Sequence, residues 1–411
     1  MQRFTRSSPW TKPSRLALVL TATLGLVTVV ASFADLPEGP VTMDQVLRGR
    51  QLVIQSDCGS CHNRGNPAAV HDPTDPKWLS GLAPGAAGFV ELGTLKTSPR
   101  NLTPDNLTGL GRISARQIFN ALRYGLKPGD TPDVVITSTV PGEGNFPATP
   151  RYLAPPMPWP SFRHLPDADL WAIAAYLKHG IKPVSNKVPD SEGPPDFWAH
   201  EYTPGNLLGP HPLPAFPMAN EQFTTDGPAT MAQVLQGRQL VIQSNCGGCH
   251  NRGKPGAFHN PGDPRWLSGL AANGPHFPIG TFKTYPRNLT PEKETGLGKI
   301  SARQIFNALR YGLKPGDTPD AVITSNVPGE GNFPATPKYL APPMPWPSFR
   351  HMTDDQLWSI VAYLKQGIKP VTNKVTDSEG PPNFWAAAYT PDASGPFPLP
   401  TYPAANEEFK P

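Results

Sequence analysis

Apolar residues recur at helical spacing in three stretches of the first half of the chain, and the same three stretches return in the second half. The first opens at the capping box Thr42-x-x-Gln45 and sets Val46, Leu47 and Val53 on its buried side. The second opens at Ser114-x-x-Gln117, with Ile113 and Ile118 at the two positions of a hydrophobic staple, and closes at Gly125. The third carries Leu170, Ile173, Ala174 and Leu177 on one face and stops at Gly180. In the second half Thr230 and Gln233 form the first box, and Ile300, Ser301, Gln304, Ile305 and Gly312 repeat the second design. Leu357, Ile360, Val361 and Leu364 repeat the third, between the box Thr353-x-x-Gln356 and Gly367. No stretch alternates as a strand does, so the fold is expected to be mainly α with long loops.

The repetition is a tandem duplication that runs from Gly39 to Phe223 and again from Gly227 to Phe409, in register apart from one residue near Gly88. Such a period is too long for a solenoid repeat, so each copy reads as a domain in itself. The expected organisation is a leader over 1–34, a first domain over 39–181, a strap over 182–226, a second domain over 227–368 and a tail over 369–411. The strap is expected to link the domains, and the tail to pack on its own domain.

Every cysteine falls in one of two matching pentapeptides, Cys58-Gly-Ser-Cys61-His62 and Cys246-Gly-Gly-Cys249-His250. Cys-x-x-Cys-His is the attachment pattern of c-type haem, in which two thiols form thioethers with the porphyrin and the adjacent imidazole binds the iron. A four-thiolate zinc site would have to join two pairs that sit at the same place in separate repeats. A thioredoxin-like dithiol has no use for the histidine that follows each pair. The pattern therefore predicts two haem c groups, held by Cys58 and Cys61 and by Cys246 and Cys249.

A haem held by one histidine is either open to small molecules or closed by a second side chain. Met157 in Ala154-Pro-Pro-Met-Pro-Trp-Pro and Met344 in Ala341-Pro-Pro-Met-Pro-Trp-Pro are the leading candidates. A thioether is a weak, neutral ligand, and flanking prolines restrict the backbone in advance and so reduce the entropy lost on ordering. Other matched pairs compete for the role: Met43 and Met231, placed here in helix packing; His164 and His351; and His71 and His259, in polar loops. Arg100, Arg163, Arg287 and Arg350, with the indoles of Trp159 and Trp346, are candidate partners for haem propionates or plain packing residues.

Composition supports this picture. Of 411 residues 55 are proline, against a typical share of ~5%. These prolines keep register with Trp159, Phe162, Trp346 and Phe349, which suits ordered loops around a large apolar group. The formal charge of +4 comes from Arg3, Arg6, Lys12 and Arg15, ahead of an apolar run over 16–34. That run reads as a secretory signal ending in Ser32-Phe33-Ala34, or as a retained membrane anchor. Without those four residues the charges balance, which gives no support for nucleic-acid binding.

Taken together, both Cys-x-x-Cys-His motifs, the Pro-Pro-Met-Pro-Trp blocks and the helix Leu170-Trp-Ala-Ile-Ala-Ala-Tyr-Leu-Lys178 resemble the cytochrome c family in its bacterial multi-haem form. The resemblance implies tandem cytochrome c-like domains with long proline-rich loops. It implies axial ligation by His62 and Met157 on one iron and by His250 and Met344 on the other. Electron transfer in the periplasm between a redox protein donor and an acceptor follows from it. Asn101-Leu-Thr-Pro-Asp with Thr108-Gly-Leu-Gly, and Asn288-Leu-Thr-Pro-Glu with Thr295-Gly-Leu-Gly, are similar to a stretch in cytochrome subunits of membrane-associated alcohol and sugar dehydrogenases. Those subunits usually carry three haem motifs, and this chain has two. The alternative is a dihaem oxidoreductase, peroxidase-like or acting on sulfur compounds, which requires one site without its methionine.

Overall fold

Five helices open on a Ser or Thr whose side chain accepts from the backbone three residues on, while a glutamine at that position reaches back to the cap. The computed structural model describes residues 40–63, 70–82, 90–92, 94–193, 198–251, 258–270, 274, 277–279, 281–380 and 394–411. The expected leader over 1–34 lies outside them. In the first half the elements are α1 (Met43–Gln55), α2 (Cys58–His62), β1 (Val90–Leu92), β2 (Leu95–Thr97), α3 (Ala115–Tyr124), α4 (Trp159–Phe162) and α5 (Asp167–His179). In the second half the same order returns as α6 (Met231–Gln243), α7 (Cys246–His250), β3 (Phe277–Ile279), β4 (Phe282–Thr284), α8 (Ala302–Tyr311), α9 (Trp346–Phe349) and α10 (Asp354–Ala362).

The fold is mostly helical, as expected, but two small antiparallel hairpins were not. β1 pairs with β2, and β3 with β4, over three residues each. Strands this short contain too few residues for an alternation to be read.

Each half builds its core by laying its first helix on its last, α1 on α5 and α6 on α10, with α3 or α8 against the same helix. The buried face of α1 is Val46, Gly49, Arg50 and Val53, and Leu47 is 39% exposed. The expectation that Leu47 is buried is therefore corrected, and Leu235 repeats it at 42%. Arg50, one turn on from Val46, takes the inward position because a buried carboxylate meets it. Met43 and Met231, expected in helix packing, are also exposed.

That carboxylate belongs to the tail: the expectation that the tail packs on its own half holds for Val371, Asn373 and Glu379, but its last stretch crosses to the first half. Arg50 donates to Glu407 at 2.6 Å, Tyr176 donates to the same oxygen at 2.6 Å, and Trp78 donates to the Tyr176 hydroxyl at 2.9 Å. Leu399, Tyr402 and Phe409 pack on the first core. In the second half the strap supplies the equivalent carboxylate. Glu221 accepts from Arg238 and Tyr363, Trp266 donates to Tyr363, and Leu213, Phe216 and Phe223 cover the core. Each half is thus closed by the segment that leaves the other.

The halves also touch directly. α4 meets α6 and α9 meets α1, and Gln51 donates to the carbonyl of His351 while Gln239 donates to that of His164. Residues 40–411 form one compact unit. Among the described residues no helix is long and apolar enough to cross a membrane.

Candidate functional site

The two Cys-x-x-Cys-His segments are single helical turns that follow α1 and α6 through a residue in left-handed backbone, Asp57 at φ 61° and Asn245 at φ 55°. Asp and Asn enter that region more readily than other side chains with a Cβ. The sharp turn redirects the chain so that cysteines and histidine lie beside the core. All four cysteines are half-buried. Burial, with Asp57 and then Cys61 nearby, pushes the Cys58 thiol up to about 12; burial and then Cys249 do the same for Cys246. No cluster of three or more His, Cys, Asp or Glu among the described residues is arranged to hold a metal ion.

The histidines are the most informative part of each site. His62 Nδ1 donates to the carbonyl of Arg100 at 2.7 Å, and His250 Nδ1 donates to that of Arg287 at 2.7 Å. A carbonyl only accepts, so Nδ1 carries the proton and the lone pair rests on Nε2, the tautomer an axial imidazole requires. Burial lowers both imidazole pKa values, against the carbonyl bond, which raises them.

The accepting carbonyl is held by a network that the Asn-Leu-Thr-Pro motif supplies. Asn101 Nδ2 donates to Thr108 Oγ1 and to the carbonyl of Val184, while its Oδ1 accepts from Thr103. Asn186 then donates to the carbonyls of Ser80 and Leu82. Gly81 donates to the carbonyl of His62 at 2.6 Å, and a Cβ at Gly81 would stand 2.8 Å from the Arg100 carbonyl carbon. Only glycine lets the two loops approach so closely. Asn288, Thr295, Val371, Asn373 and Gly269 repeat the arrangement.

Met157 is half-buried and packs on the same core cluster as Cys58; Met344 and Cys246 do so in the second half. One attachment cysteine and the candidate methionine of each half therefore border one core. His164 and His351, read as competing ligands, are buried where the two halves meet. His164 is buried against His259 of the other half, with ring centroids 6.0 Å apart, and His351 against His71 at 6.1 Å. The loop histidines His71 and His259 are 2% and 3% exposed. These four form the seam between the halves.

Two of the arginines offered as propionate partners have another role. Arg163 donates to the carbonyls of Leu208 and Gly209, and Arg350 to those of Ser394 and Gly395, which pins the strap and the tail. Arg100 and Arg287 instead remain about half-exposed beside the sites, reaching Asp190 and Asp377 at 3.1 Å. Trp159 and Trp346 stack on Tyr152 and Tyr339.

The residues present fit a covalently attached haem in each half: paired thiols, an imidazole of fixed tautomer and a thioether on a shared core. No family model matches the chain. Its homologues are cytochrome c subunits of dehydrogenases. The gluconate 2-dehydrogenase cytochrome c subunit of Pantoea cypripedii is 27% identical over 87% of this chain and 67% of its own length. The cytochrome c subunit of the quinone alcohol dehydrogenase of Gluconacetobacter polyoxogenes is 26% identical over 93% of this chain and 68% of its own. The fructose dehydrogenase cytochrome subunit of Gluconobacter japonicus is 27% identical over 65% and 45%.

Proposed function

We propose that the chain is a dihaem c-type cytochrome that passes single electrons between a redox donor and an acceptor, as a subunit of a larger dehydrogenase complex in the periplasm. The observation that carries this reading is the matched pair of imidazoles, each donating from Nδ1 to a fixed carbonyl at 2.7 Å, each at the end of a Cys-x-x-Cys-His turn. Haem c supplies a one-electron couple, with no group transferred and no substrate position required.

The chain's own residues do the rest. Cys58 and Cys61, and Cys246 and Cys249, anchor the two groups. His62 and His250 would hold the iron through Nε2, and the carbonyl bond on Nδ1 fixes ring orientation and raises the basicity of the other nitrogen. Met157 and Met344 would each supply a soft neutral ligand, which would favour the reduced form and raise the potential. The names of the homologues support a dehydrogenase as donor, and the apolar run over 16–34 supports export or attachment at the membrane surface.

Optical spectra of the oxidised holoprotein test the reading. A sulfur-to-iron charge-transfer band with the intensity of two sites, and ferrous protein that does not take up carbon monoxide, are expected. A high-spin haem in the native protein would point to a catalytic site instead.

A further inference from the structure

The two attachment helices differ in charge at the residue immediately before the first cysteine, where Asp57 in one half corresponds to Asn245 in the other. Both occupy the same left-handed position, so geometry is conserved between the halves and charge is not. The Asp57 carboxylate accepts from Ser348 Oγ of the other half at 2.7 Å and stands 3.4 Å from His71 Nε2. Its side chain is 29% exposed. Burial pushes its pKa up to about 6, against the bonds from Ser348 and Ser60 that pull it down, so it is ionised at pH 8. In the second half the matching hydroxyl, Ser161, faces His259 Nδ1 at 3.5 Å. A second exchange of the same sense, Asp72 for Asn260, lies one loop away, and there Thr74 takes the carboxylate with both its amide and its hydroxyl.

We propose that Asp57 sets the reduction potential of the first haem below that of the second, so that electrons run from the Cys58–Cys61 site to the Cys246–Cys249 site. This rests on the two-haem reading above. The oxidised iron site carries one more positive charge than the reduced one, and a fixed carboxylate nearby stabilises the oxidised state. An amide does not. Partial removal from solvent weakens screening of that charge, and the Ser348 hydroxyl holds the carboxylate in place.

Redox titration of the holoprotein at pH 8, followed by visible spectra, tests this with Asp57→Asn and Asn245→Asp. The native protein is expected to show two midpoints. Asp57→Asn should raise the lower one and leave the upper, reducing the equilibrium constant for electron exchange between the sites by about tenfold, or about 59 mV. Asn245→Asp should lower the upper midpoint by a similar amount. Intact mass is recorded first: fewer than two attached haems would overturn the two-haem reading and this proposal together. Two haems with midpoints that neither substitution moves would overturn the proposal alone. If Asp57→Asn does not load haem, Asn245→Asp decides the matter by itself.

Discussion

Arg50 and Glu407 stand 357 residues apart in the chain and share a hydrogen bond of 2.6 Å inside the first half. Their side chains are 9% and 0% exposed, so removing one leaves the other charge buried without its partner. Breaking such a pair typically costs about 3–5 kcal/mol. Glu407→Gln is expected to lower the stability of the first half by that order, and Glu221→Gln to do the same in the second. Chemical denaturation followed by fluorescence checks this, since Trp78 and Trp266 sit on the two networks through Tyr176 and Tyr363. A Glu407→Gln protein of native stability would show that the tail is not a structural part of the first half.

Gly125 ends α3 in left-handed backbone at φ 72°, and a Cβ there would lie 2.1 Å from the Trp159 ring. Gly125→Ala is therefore expected to cost about 1–3 kcal/mol from the backbone alone, with further loss from displacing an indole two residues beyond Met157. Gly129→Ala is the control, because nothing lies within 4 Å of the position its Cβ would take. It should stay within about 0.5 kcal/mol of native. Equal melting temperatures for the two variants would contradict the packing described.

The seam histidines predict how stability depends on pH. Burial, and then Arg350, lowers His71 from 6.5 to about 3; burial and then Arg163 lowers His259 to about 3. Burial lowers His351 to about 2, and His164 is lowered further. A folded pKa below the unfolded value means that the unfolded chain takes up protons the native state refuses. Stability should then be full above about pH 6.5 and fall as pH drops below it, until the folded values are reached. Each histidine contributes a slope of up to ~1.4 kcal/mol per pH unit. Denaturation curves at pH 8, 6, 5 and 4 check this, and a flat profile would mean that these imidazoles do not stay neutral in the native protein.

Met157→Ala removes a half-buried side chain on the first core and, on the proposed ligation, opens one iron. The charge-transfer band should fall by about half, and the ferrous protein should bind one carbon monoxide per chain. These expectations follow from an open sixth position. An unchanged spectrum would exclude Met157 as a ligand.

What could be read from the sequence was local. Thr42, Ser114, Thr230, Ser301 and Thr353 cap their helices through residues three positions on, so a short window contains the whole interaction. The attachment motifs are contiguous for the same reason. What could not be read depends on distant partners. Leu47 read as a core residue, but it is Arg50 that turns inward, to meet Glu407 from the far end of the chain. His71 and His259 sit in polar loops, and only the opposite half buries them. The carbonyls that fix His62 and His250 belong to Arg100 and Arg287, whose side chains carry no sign of that backbone role.

The account rests on two porphyrins attached to this chain, and intact-mass measurement of the exported protein tests that most directly, alongside Cys58→Ser/Cys61→Ser and Cys246→Ser/Cys249→Ser variants. The native mass should exceed that of the processed polypeptide by two haems, and each double variant by one. A native protein carrying one haem or none, or a double variant that still carries two, would contradict it.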